Sequence, residues 1–172
     1  SCREHGGEII ENEQVLAVAA DEGRITAVEL ADRSVKADTV IAANGAWASH
    51  IIIGNAPMPF EVRPIRGEIV AFHTAKRLFE HVIHSRRGYI VPREDGRVLA
   101  GSTSDDVGFD RSVTADAKSE ITSMAYEISP NLANLEAVDH WAGLRPFAAD
   151  GLPIIGKISG AAGLFVATAH YR

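Results

Sequence analysis

Gly88-Tyr89-Ile90-Val91-Pro92-Arg93 and Arg97-Val98-Leu99-Ala100-Gly101-Ser102, joined through Glu94-Asp95-Gly96, decide how this chain of 172 residues folds. Both runs are apolar and partly β-branched, and an Asp-Gly pair sits between them. Such a pair is a strong hairpin signal, because a tight two-residue turn needs positive φ where only small or turn-forming residues are comfortable. An antiparallel sheet is therefore expected here. Strict alternation puts Tyr89 and Val91 on one face of it and Ile90 on the other.

Working outward, residues 61–74 read as a long half-buried strand through Ile65, Ile69 and Phe72, and residues 81–85 as a shorter one. The clearest helix is 114–128. Thr114 can cap it, Asp116 suits the positive end of its dipole, and Ala117, Ile121, Met124, Ala125 and Ile128 form one apolar stripe. Ser129-Pro130 ends it, and residues 135–144 return as a strand. Upstream, residues 8–11, 14–20, 24–30 and 35–43 are strand-like and broken by turn residues. The run 37–43 is almost wholly apolar and predicts a strand buried on both faces, as in a parallel sheet. A short helix is expected over 47–53, a boundary at Pro57 and Pro59, and one more buried strand over 163–167. The predicted class is α+β: a mostly antiparallel sheet with one helix, set beside part of a Rossmann-like nucleotide-binding layer.

Composition narrows the partners. The formal net charge of −6 argues against nucleic acid, which demands a basic face. Arginines nevertheless gather locally, at Arg63 and Arg66, at Arg86, Arg87 and Arg93, and at Arg145 and Arg172, a pattern suited to a small anion. Cys2 is the only cysteine, so no internal disulfide or thiolate metal site can form, and a cytoplasmic setting is the default expectation. No apolar run has the length of a membrane span. The chain opens Ser1-Cys2-Arg3 without a methionine, and a fragment of a longer protein is expected.

Arg145 stands before Pro146, which stiffens the backbone and holds the arginine out of helix. A guanidinium so fixed suits a carboxylate gripped through two parallel hydrogen bonds; a structural ion pair is the equal alternative. Tyr89 combines a packing ring with a phenol that can reach a ligand, although plain sheet packing is the commoner use. His170, Tyr171 and Arg172 follow an apolar strand at its C-terminal end, where ligands of α/β sheets gather. The histidines at 73, 81, 84 and 140 lack metal-site spacing, and Asp105 and Asp106 read as a solvated loop. There is no Gly-x-Ser-x-Gly elbow. No Gly-x-Gly-x-x-Gly follows any strand, so these residues alone carry no dinucleotide pyrophosphate loop.

Taken in order, the segments 37–47, Arg63-Pro64-Ile65-Arg66-Gly67-Glu68, 88–93, Ala100-Gly101-Ser102-Thr103, 143–156 and Ala167-Thr168-Ala169-His170-Tyr171-Arg172 resemble the D-amino-acid oxidase superfamily of flavoproteins, and within it the glycine oxidases of thiamine biosynthesis. The resemblance covers nearly the whole chain. It implies FAD as cofactor and oxidative deamination of glycine or another small amino acid to an oxo-acid, ammonia and hydrogen peroxide. D-amino-acid dehydrogenases and sarcosine-oxidase-like enzymes share the same logic, and an inactive fragment or a carboxylate-binding module is the reading from another class. Residues 1–57 would belong to the FAD-binding domain, 58–147 to the substrate domain, and 148–172 to a return into the first. Arg145, Tyr89 and Arg172 would hold the substrate; Val15, Gly45, His170, Tyr171 and Arg172 would meet the cofactor. No general base is assigned and no metal is implied; a homo-oligomer is compatible with the likeness. Two positions depart from the pattern. Ala169 stands where glycine is usual, and Arg87 where glycine oxidases can have histidine, which bears on substrate preference.

Overall fold

The computed structural model describes residues 2–75 and 77–171. The chain divides into two compact units, one made by residues up to Val62 together with those from Pro146 on, the other by Arg63–Arg145.

The second unit is built on the hairpin. Strands β9 (Tyr89–Pro92) and β10 (Arg97–Gly101) pair antiparallel with Tyr89 opposite Gly101, and Gly96 turns the corner at φ 84°. β7 (Arg63–His73) lies on the other side of β10, also antiparallel, with Ile69 opposite Gly101. β8 (Ile83–His84) and β11 (Ala137–Phe147) complete the order β11-β7-β10-β9-β8. Helix α1 (Ala115–Ile128) covers one face of this sheet. Thr114 caps it as expected, its hydroxyl accepting the Ala117 amide at 3.2 Å. Ala117, Ile121, Met124 and Ala125 are buried with Val70, Phe72, Ile90, Val98, Ala100 and Leu132. Because strand side chains alternate, these even-numbered strand residues place Gly67, Ile69, Tyr89, Leu99 and Gly101 on the face turned away from α1.

The first unit holds two smaller sheets. One has the order β3-β2-β1-β5-β6, from β1 (Ala17–Asp21), β2 (Arg24–Glu29), β3 (Ser34–Lys36), β5 (Ile52–Ile53) and β6 (Ala56–Pro57). The other has the order β12-β13-β4, from β4 (Val40–Ala42), β12 (Ile154–Lys157) and β13 (Leu164–Thr168), and its β4 and β13 run parallel. Val18, Ile25, Ala42, Met58, Leu164 and Val166 make their common core. The α+β class read from the sequence is the class observed.

Several local expectations differ from what forms. Residues 8–16 make no strand, although 14–20 continues into β1. The helix expected over 47–53 is a 3-10 turn at Gly45–His50, followed at once by β5. The expectation of a strand buried on both faces at 37–43 is corrected: in β4 only Ala42 is buried, and Ile41 is 66% exposed. Apolarity reports a preference for burial, not the presence of a neighbour to supply it.

Candidate functional site

Two strands bring the anchor together. Arg145, near the end of β11, lays its guanidinium across Gly67 of β7. A Cβ at that glycine would stand 2.4 Å from Nη2 and 2.8 Å from Cζ, so only glycine leaves the passage open. The guanidinium is then gripped by β7 and by the residues that follow β10. Nη1 donates to Ser102 Oγ at 3.2 Å; Nη2 donates to the Arg66 carbonyl at 3.4 Å and to the Thr103 carbonyl. These three partners are neutral oxygens, which orient the guanidinium.

Tyr89 points to the same place from the opposite side of β10. A Cβ on Gly101 would lie 3.1 Å from the phenolic oxygen, so the hydroxyl rests over the residue that precedes Ser102. The structure thus gathers Arg145 and Tyr89 around Gly101-Ser102-Thr103, on the sheet face opposite α1. His84 stands beside the phenol ring with centroids 5.7 Å apart. Arg87 is held elsewhere, in an ion pair with Glu127 of α1.

Beneath this face lies a charged cluster that the sequence reading did not single out. Glu68 is fully buried, with Oε2 3.0 Å from the Thr114 amide and 2.8 Å from His140 Nε2, and Oε1 3.2 Å from the Thr114 hydroxyl. Arg66, 7% exposed, has Nε 3.7 Å from Glu68 Oε1, and Nη1 bonded to Asp110 at 2.9 Å and to the Ser112 carbonyl at 3.1 Å. The Ser112 amide, then its hydroxyl, and the charge of Arg66 more weakly, hold the Asp110 carboxyl below its ordinary value. Asp105 and Asp106, read as a solvated loop, do keep side chains that reach solvent, but the segment is tied to β7. Asp105 exchanges backbone hydrogen bonds with Arg66 at 2.8 and 2.9 Å, and Asp106 accepts from Arg63 at 2.8 Å. Glycine between two charged residues of a strand, Arg66-Gly67-Glu68, was the available signal for a close approach.

The residues expected to meet a cofactor occupy the other unit, at the C-terminal ends of the parallel strands β4 and β13. Gly45 opens the 3-10 turn at φ 56°, and its carbonyl accepts from Thr168 Oγ1 at 2.8 Å, which ties the two strand ends together. No atom lies within 4 Å of the Cβ position at Gly45, so its backbone is open to close approach. Ala169 follows Thr168, buried and at φ 59°, a left-handed conformation that costs a non-glycine residue about 1 kcal/mol. His170 is exposed, and Tyr171 packs edge-on against Phe147 with centroids 5.0 Å apart. Val15 lines a separate groove of about 560 Å³, with Leu16, Val40, Ala42, Asn44 and Trp47 among its walls. Arg172 lies outside the described residues. Among the described residues no cluster of three or more His, Cys, Asp or Glu could hold a metal ion, and no helix is long and apolar enough to cross a membrane.

Comparison with known proteins identifies the family and the fold. The chain is 35% identical over 159 residues to glycine oxidase of Pseudomonas putida, covering 92% of itself and 43% of that protein. Among solved structures it resembles glycine oxidase from Geobacillus kaustophilus, with TM-score 0.86 and 31% identity over 97% of this chain and 45% of that one. It also shares the fold of L-proline dehydrogenase from P. horikoshii, with TM-score 0.88 at 22% identity, covering 98% of this chain and 47% of the other. The chain therefore spans less than half the length of these relatives. The family model for FAD dependent oxidoreductases matches residues 1–172 throughout, and the chain accordingly belongs to that DAO family of flavin enzymes.

Proposed function

We propose that this chain is the substrate-anchoring part, with one edge of the FAD site, of an enzyme that oxidatively deaminates glycine or another small amino acid. The observation that carries the reading is the convergence of Arg145 and Tyr89 on Gly101-Ser102-Thr103. Residues 58–147 are the substrate domain in this reading, and residues 1–57 and 148–172 belong to the FAD-binding domain.

Arg145 receives the substrate carboxylate. Its guanidinium is oriented by the Ser102 hydroxyl and two carbonyls before any ligand arrives, so little reorganisation accompanies binding. Tyr89 donates its phenolic hydrogen to the same carboxylate; Arg172, which the family resemblance would also assign to the substrate, lies outside the described residues. Ile69, Val91 and Leu99, half-buried on the same face, offer apolar surface beside the anchor. With the amino group neutral on arrival, no side chain need act as general base.

The residues present fit one end of FAD. The apolar groove at Val15 accepts a flat ring, and the open backbone at Gly45, with His170 and Tyr171 beyond β13, lines the strand ends where a nucleotide cofactor lies. When bound, FAD would supply the redox chemistry, as two-electron acceptor for the α-carbon hydride with oxygen as the final acceptor, so that amino acid, oxygen and water would balance to oxo-acid, ammonia and peroxide. Loss of flavin absorbance on adding glycine without oxygen tests the proposal. Flavin bands that stay unchanged with glycine and with small D-amino acids would refute it.

A further inference from the structure

Arg66 and Glu68 flank Gly67, the residue over which Arg145 lies, and both side chains turn to the α1 side of the sheet. Between them they bracket the whole segment 103–114. At its start, the Glu68 amide donates to Thr103 Oγ1 at 3.1 Å, and Arg66 and Asp105 exchange backbone hydrogen bonds. In its middle, the Arg66 guanidinium holds Asp110 and Ser112. At its end, the Glu68 carboxylate takes both the amide and the hydroxyl of Thr114, where α1 begins. His140, on the same strand as Arg145, closes the cluster with Nε2 2.8 Å from Glu68 Oε2. A buried carboxylate is costly unless it is paired, and here Thr114 donates its amide and its hydroxyl while the Arg66 and His140 nitrogens stand within ion-pair distance. The two oxygens that grip Arg145 most directly, Ser102 Oγ and the Thr103 carbonyl, stand at the mouth of this bracketed segment.

We propose that Glu68, supported by Arg66 and His140, is a positioning residue for Arg145. Its carboxylate pins segment 103–114, and that segment in turn fixes the oxygens that aim the guanidinium. The inference rests on the reading of Arg145 as the carboxylate anchor. It adds that the anchor is aimed from the far side of the sheet by a charge that never touches substrate.

The test uses the FAD-loaded protein with glycine, comparing Glu68→Ala, Glu68→Gln and Thr103→Val, alongside NMR of the Arg145 guanidinium without ligand. Glu68→Ala is expected to raise KM about tenfold with kcat within about twofold, since loosening the segment displaces the guanidinium by less than the ~1 Å that costs on the order of a hundredfold. Glu68→Gln keeps an acceptor for Thr114 and should recover most of the loss. Thr103→Val cuts the link at the other end and should raise KM while leaving the buried cluster intact, which guards against a Glu68 variant that fails to fold. In the wild type, hindered rotation should give separate Nη signals for Arg145; these should merge in Glu68→Ala and Thr103→Val. Folded variants with unchanged KM and unchanged Arg145 signals overturn the proposal. If Arg145→Ala itself leaves KM unchanged, the anchor reading fails instead, while the NMR signals still report whether Glu68 positions the arginine.

Discussion

Replacing Gly67 by alanine separates folding from anchoring. An ordinary contact begins near 3.4 Å, whereas the new Cβ would stand 2.4 Å from Arg145 Nη2, so the guanidinium must retreat by 3.4 − 2.4, or 1.0 Å. The obstacle is the far end of a flexible side chain, and Gly67 has no positive φ, so the backbone accepts the methyl. Alanine also lowers the entropy of the unfolded chain relative to glycine, worth about 0.5–1 kcal/mol. That gain is offset by loosening the bonds from Arg145 to Ser102, Thr103 and Arg66, each worth about 1.5–3 kcal/mol for a charged donor when fully lost. Partial re-formation after a 1 Å shift leaves stability within about 1 kcal/mol of wild type. Binding of the substrate carboxylate has no such compensation. A 1 Å misplacement of an anchoring group costs on the order of a hundredfold, or about 2.7 kcal/mol. Steady-state oxygen uptake with glycine, read beside a thermal melt, should show kcat/KM falling by about two orders of magnitude while Tm moves little. A variant with wild-type kcat/KM would refute the claim that Arg145, in the position described, holds the substrate.

Gly88→Ala makes an instructive contrast, because there the new Cβ would meet a backbone atom, the Gly101 carbonyl, at 2.4 Å, and Met124 Cε at 2.8 Å. The β9–β10 pairing must distort, and a loss of about 2–4 kcal/mol in denaturant titration is expected. Ala169→Gly should be nearly neutral in stability. Relief of the left-handed alanine gives about 1 kcal/mol, and loss of a methyl buried against Val62 and Ala148 removes about 0.8 kcal/mol; a change beyond about 1.5 kcal/mol in either direction would refute this balance. Asp110 has a depressed carboxyl pKa in the folded state, so its stabilising effect is present above its unfolded pKa of about 3.9 and disappears as pH falls through the folded value. Stability measured against pH should therefore decline more steeply in acid for the wild type than for Asp110→Asn, and parallel curves would contradict that.

How much was legible in the sequence follows from the range of the interactions involved. The β9–β10 hairpin and α1 are encoded locally, by Asp95-Gly96 and by a capped stripe with 3.6-residue spacing, and both form where expected. The two-residue strands β5 and β6 form because neighbours offer hydrogen bonds; Ile52–Ile53 has β-branched side chains but is too short to show a strand period, and Ala56–Pro57 has no strand signal. Arg145 and Tyr89 could be nominated from residue type and backbone stiffness. The Glu68 cluster could not, since its members lie at positions 66, 68, 114 and 140 and meet only through strand pairing and the docking of α1 on the sheet. Glu68 looked like a polar residue in an imperfectly alternating strand; its burial was the missing information. Ile41 failed in the opposite sense, apolar in sequence and exposed in the structure.

The most direct test of the account is to compare Arg145→Ala with wild type for two affinities in the same FAD-loaded preparation, glycine by anaerobic bleaching of the flavin and FAD by fluorescence. The account predicts that glycine binding weakens by about 2–5 kcal/mol, the usual loss when a charge-assisted anchor is removed, while FAD affinity stays within a few-fold. Unchanged glycine affinity, or a loss shared equally by glycine and FAD, would contradict it.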